Sequence, residues 1–143
     1  MPDLGREHIT SLTYNYPQHP ATSGPHYGVW MMPPPQVYST SIPEVRAVHN
    51  LEHGYVIVYY SPGPDSQLST DLVRVLSAKV TGQRKVLMAP YQSLPAGTAL
   101  AFAAWDELQL CSPAVTGAEA QTTLDKFIAA FREGPLAPEP QSP

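Results

Sequence analysis

The chain has 143 residues, of which 43% are hydrophobic and only 14% are charged, and its formal net charge is −4. These values are typical of one folded domain with its own hydrophobic core, and they argue against a disordered chain. The negative charge and the lack of a basic cluster argue against nucleic acid as a partner. We expect neither a signal peptide nor a membrane span, because no apolar run approaches the roughly 20 residues that cross a bilayer.

The N-terminal part of the chain is predicted to contain a long Pro-rich loop region, about a quarter of the protein. Residues 8–16 alternate between apolar and polar types and could form an edge strand. Three prolines and a glycine make residues 17–25 a loop, whose last turn presents His26 and Tyr27 in a defined direction. Three consecutive prolines at 33–35 favour polyproline II geometry. The Trp, Tyr and Met residues of this region favour a functional loop over disorder.

A helix is predicted from residue 43 to residue 53. Proline is favoured in the first turn of a helix, where Pro43 stands, and glycine is favoured just after the last turn, where Gly54 stands. The run of β-branched and aromatic residues at 55–60 predicts a strand that is buried on both faces. A turn is predicted at residues 62–65.

The rest of the chain is predicted to contain two more helices and two more strands. The helices cover residues 69–82 and 116–134, and the strands cover residues 84–89 and 98–110. Thr116 and Glu119 have the spacing of a capping box at the start of the last helix. Residues 135–143 are predicted to be a flexible Pro-rich tail, which leaves a single domain at 1–134. This order of elements indicates an α+β fold, with a small, mainly antiparallel sheet and about three helices packed on it.

Two histidines and a glutamate occupy the apolar face of the helix at 43–53. His49 and His53 are four residues apart, so their side chains project from one face of the helix. Glu52 points towards the same side, and Val45 and Val48 fall within the same arc as His49. Buried ionisable groups are costly unless they are paired or bind an ion. We therefore expect His49 and Glu52 to have partners elsewhere in the fold.

Two motifs, T-S-G-P-H-Y at 22–27 and H-N-L-E-H-G at 49–54, resemble those of a bacterial domain-of-unknown-function family, number 3105. Further matches are E-H at 7–8, A-W at 104–105 and F-I-x-x-F-R-x-G-P at 127–135, so the resemblance spans nearly the whole chain. It implies an extracytoplasmic domain, often behind an N-terminal membrane anchor, and it implies no particular activity. The ionisable residues that it carries over are His8, His26, His49, Glu52 and His53.

These motif histidines predict a transition-metal site. A helical His pair at i and i+4 is a standard chelating arrangement. A mixture of thioether and imidazole ligands suits copper, Cu(I) especially, whereas histidines alone or with a carboxylate suit zinc. The predicted ligands are His26, His49 and His53, with His8, Met31 or Met32 completing the set. Glu52 and Tyr27 are expected to support the ligands, with Glu52 accepting a hydrogen bond from a ligating imidazole.

The predicted function is carriage, storage or delivery of copper without turnover, with a metal-donating or metal-receiving protein as partner. One alternative is a metal-free interaction domain, in which the Pro-rich aromatic loop docks to a protein and the histidines form internal hydrogen bonds. A second is a zinc hydrolase, because H-N-L-E-H matches the H-x-x-E-H pattern with Glu52 as base. The single cysteine, Cys111, excludes an internal disulfide and is expected to be structural.

Overall fold

The computed structural model describes residues 1–63 and 68–143, so half of the predicted turn at 62–65 lies outside the described residues. Within the described part, the chain forms three helices and two sheets. The helices are α1 (Glu44–Glu52), α2 (Thr70–Val80) and α3 (Gly117–Phe131). The strands are β1 (His8–Ile9), β2 (His26–Tyr27), β3 (Val56–Tyr60), β4 (Val86–Pro90), β5 (Leu100–Ala104) and β6 (Glu107–Cys111).

The larger sheet has the strand order β4-β3-β5-β6. β3 pairs with β4 in parallel, and the β3–β5 and β5–β6 pairs are antiparallel. The parallel pair is joined through α2, as a parallel connection requires a crossover. The predicted α+β class, with a mainly antiparallel sheet and three helices, is therefore confirmed for the described residues.

Alternation along β3 sends side chains to two separate hydrophobic clusters. Val56 and Val58 face the cluster that holds the apolar side chains of α2 and α3. Ile57 and Tyr59 face the other cluster, which holds the apolar side chains of α1. Successive strand residues point to opposite faces of a sheet, so a strand buried on both faces is sandwiched between helices. α1 consequently lies alone among the described helices on its side of the sheet, where the N-terminal loop region covers it.

The prediction of one continuous strand at 98–110 is wrong, because these residues form two strands. β5 and β6 form a hairpin in which Ala104 pairs with Glu107, and the chain reverses at Trp105 and Asp106. Asp106 has a φ of 59°, and aspartate is one of the few residues that adopt this left-handed conformation at low cost. A continuous run of strand-forming residues does not show that the chain turns back on itself.

The predicted edge strand at residues 8–16 is also much shorter than expected. Only His8–Ile9 forms a strand, and it pairs in parallel with His26–Tyr27. Leu12 and Tyr14 are exposed, so the apolar alternation of this segment does not correspond to a buried strand face.

Both α2 and α3 begin with a side-chain cap, and the capping box predicted at Thr116 is confirmed. The Ser69 hydroxyl accepts a hydrogen bond from the backbone N–H of Leu72 at 3.1 Å. Thr116 and Glu119 form the reciprocal pair of a capping box. These caps satisfy N–H groups that would otherwise have no partner at the start of a helix.

Residues 135–143 lie against the rest of the domain, through contacts that the sequence did not predict. The backbone N–H of Glu139 donates to the carbonyl of Glu52 at 3.0 Å. The buried ammonium of Lys85 donates to the carbonyls of Pro140 and His53, both at 2.9 Å. These bonds bring the C-terminal segment to the end of α1.

Among the described residues, no helix has the length and hydropathy to cross a membrane.

Candidate metal centre

Three elements bring imidazole rings to one face of α1. β1 and β2 pair in a register that sets His8 beside His26, and β2 packs against α1. His49 and Glu52 face these strands from the last two turns of the helix. The structure thus assembles His8, His26, His49 and Glu52 into one cluster, which we call the four-residue cluster.

The Glu52 carboxylate lies among the three imidazoles. Its Oε2 atom is 3.0 Å from Nε2 of His26 and 3.9 Å from Nε2 of both His8 and His49. One ligand atom from each of the four residues lies within 4.8 Å of all the others. Four ligands around one tetrahedral ion, with bonds of about 2 Å, are separated by roughly 3.3 Å. The four side chains could therefore bind a single ion after small movements.

Backbone carbonyls fix the orientation of the two buried imidazoles. Nδ1 of His26 donates to the Gly24 carbonyl at 2.9 Å, and Nδ1 of His49 donates to the Tyr27 carbonyl at 2.7 Å. A carbonyl only accepts, so each Nδ1 carries a hydrogen and Nε2 is the atom turned towards the cluster. Metal-binding histidines are typically held in this way. Tyr27, predicted to support the ligands, contacts His49 through its backbone.

The glycine of the G-P-H-Y motif explains how the His26 ring is positioned. Gly24 has a φ of +119°, and a Cβ atom at this position would lie 3.0 Å from the Tyr16 ring. Any larger residue would therefore be strained in its backbone and crowded by Tyr16. Glycine allows the chain to turn tightly here, so that the Gly24 carbonyl reaches the ring two residues later.

Burial of the His49 ring lowers its pKa from 6.5 to about 4. The hydrogen bond to the Tyr27 carbonyl raises the pKa, but this effect is smaller than that of burial. The neighbouring His53, His26 and His8 lower the pKa further, because a second positive charge beside them is unfavourable. The His49 ring is consequently neutral at pH 7. A neutral ring has the free Nε2 lone pair that metal binding requires.

The metal-free protein is expected to lose stability as the pH falls from 6.5 towards 4, the two pKa values of His49. In this window the unfolded chain binds a proton that folded His49 resists, so the free energy of unfolding rises with pH. The expected loss is roughly 1–2 kcal/mol, allowing for screening by solvent. Urea unfolding at both ends of the window, with a chelator present, measures it. His49→Asn should show a smaller loss, and an equal loss in both proteins would contradict the assignment.

His53 lies beside the four-residue cluster, not within it. Its Nε2 atom is 3.1 Å from Nε2 of His49, and its Nδ1 donates to the backbone oxygen of Pro143 at 2.8 Å. His53 belongs instead to a second group of possible ligands, together with Glu52 and Glu139. Glu139 is a residue that sequence reasoning missed, because its position depends on the fold of the C-terminal segment.

Two further polar residues of α1, also missed, hold the loop that covers the site. Asn50 accepts from the N–H of Met31 at 2.7 Å and donates to its carbonyl at 2.9 Å. Arg46, one turn earlier, donates to the carbonyl of Trp30 at 2.6 Å. The loop places the Trp30 ring 5.5 Å from the His49 ring and 4.8 Å from the His53 ring. The i, i+4 spacing of Arg46 and Asn50 was the available signal, since it places both on one helix face.

The two methionines predicted as possible ligands lie in different environments. Met31 is half-buried and packs against the hydrophobic cluster around α1, whereas Met32 is 55% exposed. Coordination by either sulfur therefore stays a prediction.

Cys111 is half-buried, and burial raises the pKa of its thiol, which agrees with the expected structural role.

The fold and this cluster define a small α+β protein with a His/Glu site that could bind a metal. The family model described as a protein of unknown function, domain of unknown function 3105, matches residues 8–143. The chain belongs to this family, as the resemblance of its motifs predicted. Comparison with curated proteins found no match, and comparison with solved structures found none either.

Proposed function

We propose that this protein binds one transition-metal ion through His8, His26, His49 and Glu52, and that it carries, stores or delivers that ion. One observation carries the proposal: buried His26 and His49 both use Nδ1 to hold a backbone carbonyl, and both turn Nε2 towards the Glu52 carboxylate. Three nitrogen ligands and one oxygen ligand are a set that proteins use for zinc and copper.

Copper is the preferred ion, in its divalent form. For a given set of nitrogen and oxygen ligands, affinity among divalent first-row ions is greatest for Cu(II) and lower for Zn(II). The carboxylate of Glu52 also suits Cu(II) better than Cu(I), which favours sulfur. Cu(I) would need a sulfur from Met31 or Met32 in the set, and Zn(II) is the alternative ion.

Exposure of the ligands favours carriage or delivery. The His8 side chain is 59% exposed, whereas the side chains of His26, His49 and Glu52 are at most 5% exposed. An ion held by three buried groups and one exposed imidazole can be reached by a partner from the His8 side. We further propose, from the family resemblance, that the protein acts in an extracytoplasmic setting with a metal-donating or metal-receiving partner.

A zinc hydrolase fits the site less well. In that alternative Glu52 would act as a free base beside a metal-bound water. Its Oε2 atom instead lies 3.0 Å from Nε2 of His26, within the ligand cluster. Glu52 is therefore better placed as a ligand.

Quenching of tryptophan fluorescence by Cu(II) tests the proposal. The chain has two tryptophans; Trp30 contacts His49 and His53, and Trp105 lies 6.3 Å from the His26 ring. Because bound Cu(II) quenches nearby indoles strongly, we expect quenching to saturate, with a dissociation constant below about 1 µM. Zn(II) in excess should reverse the quenching. A protein that leaves Cu(II) and Zn(II) entirely with a weak competing chelator would contradict the proposal and favour the metal-free interaction domain.

A further inference from the structure

His53 has an arrangement that the four-residue cluster does not explain. Its Nε2 atom lies 3.1 Å from Nε2 of His49 and 3.8 Å from Oε2 of Glu139. Glu52, His53 and Glu139 each offer one ligand atom, and these three atoms lie within 4.8 Å of one another. Glu52 therefore belongs to both groups of possible ligands.

The close contact between His49 and His53 brings their two Nε2 atoms within 3.1 Å of each other. Both rings use Nδ1 to donate to a backbone oxygen, on Tyr27 and on Pro143. Two neutral rings held in this way would point Nε2 lone pairs at each other, which is unfavourable at 3.1 Å. The repulsion is relieved if each lone pair faces its own cation. An ion held by the four-residue cluster would use Nε2 of His49 and would leave Nε2 of His53 for a second ion.

We propose that Glu52, His53 and Glu139 form a second cation site, and that Glu52 bridges the two ions. This inference rests on the proposed function, since the first ion is the one held by the four-residue cluster. Carboxylate-bridged pairs of ions in proteins are separated by about 3.5–4 Å. The Glu52 carboxylate offers a ligand atom within 4.8 Å of those of His53 and Glu139, and likewise within 4.8 Å of those of the other three members of the four-residue cluster, which suits such a bridge.

The ligand types predict which ion the second site takes. One imidazole and two carboxylates form a harder and more negative set than the three imidazoles and one carboxylate of the first site. Such a set suits divalent ions with oxygen and nitrogen ligands, such as Zn(II) or Mn(II), with water completing the coordination. The Glu139 side chain is 48% exposed, so this site is open to solvent and should bind its ion more weakly than the first.

The C-terminal segment holds Glu139 in place through backbone contacts. Its N–H donates to the Glu52 carbonyl at 3.0 Å, which ties it to the residue that bridges the sites. The ammonium of Lys85 donates to the carbonyl of the next residue, Pro140, at 2.9 Å. Lys85 also lies 3.3 Å from Glu133, so its positive charge is partly balanced beside the second site.

Zinc stoichiometry tests the second site. We expect native mass spectrometry, after loading with excess Zn(II) and removal of loosely bound metal, to show two ions per wild-type chain. Glu139→Gln and His53→Asn should each show one, and the control Asp71→Asn, which alters an exposed residue of α2, should show two. One ion per wild-type chain, or two in Glu139→Gln, would overturn the second site and leave the first. No ion in any of these proteins would overturn the proposed function as well.

Magnetic coupling tests the bridge separately. Two Cu(II) ions joined by the Glu52 carboxylate should couple, so the spin signal per copper should fall when the second equivalent binds. Glu139→Gln should keep a full signal from its single copper. Two Cu(II) ions in the wild type with full, uncoupled signals would overturn the assignment of Glu52 as a bridge.

Discussion

Replacing Gly54 by alanine is expected to lower the free energy of unfolding by roughly 2–5 kcal/mol. Gly54 has a φ of +81°, and a Cβ atom there would lie 2.9 Å from Cα and 3.1 Å from N of Glu133. The substitution therefore carries the cost of a left-handed backbone and the cost of a clash with main-chain atoms. Main-chain atoms cannot move aside as a flexible side chain could.

Gly82→Ala is a matched control for this effect. Gly82 has a similar φ of +86°, but nothing lies within 4 Å of its Cβ position. It should therefore lose only the backbone cost, about 1–2 kcal/mol. Urea unfolding of both variants measures the difference. A Gly54→Ala protein no less stable than Gly82→Ala would show that the close approach of Glu133 is unimportant.

The importance of Gly54 lies in what it joins. Its carbonyl accepts from the N–H of Glu133 at 2.8 Å, so the chain just after α3 is held against the end of α1. His53 is the residue before Gly54, and the C-terminal segment 135–143 begins two residues after Glu133. Ion binding at the second cation site should consequently be weakened more by Gly54→Ala than ion binding at the four-residue cluster.

Local features of the sequence were sufficient to predict α1 and its unusual face. The spacing of Val45, Val48, His49 and Glu52 is a property of a few consecutive residues, and helix geometry converts it directly into a shared face. The structure confirms that His49 and Glu52 are buried there. Burial of ionisable groups implies that they have partners, and the partners of Glu52 are His26 and His8.

The features that the sequence did not reveal depend on distant parts of the chain. The β5–β6 hairpin depends on a turn at Trp105 and Asp106 that no glycine or proline marks. The position of Glu139 depends on Lys85, which is 54 residues away in the sequence and donates to the carbonyl of Pro140. Periodicity describes one element at a time, so it does not indicate which loop or tail reaches that element.

The second large effect is expected at His49, where His49→Asn should lower Cu(II) affinity by at least about 100-fold. The substitution removes one of three imidazole ligands, and loss of even an indirect support for a ligand typically costs 10–100-fold. His8→Asn alters a largely exposed side chain, so it should fold normally and show a loss of the same kind. Near-UV circular dichroism of each variant checks the fold.

His19→Asn is the matched control, because His19 lies outside the four-residue cluster and bonds to Glu44 at 2.9 Å. The most direct test is therefore a Cu(II) titration of these variants and the wild type against a competing chelator. The site described above predicts wild-type affinity in His19→Asn and losses of about 100-fold or more in His49→Asn and His8→Asn. Equal affinity in all four proteins, or an equal loss in His19→Asn, would contradict a metal centre at this cluster.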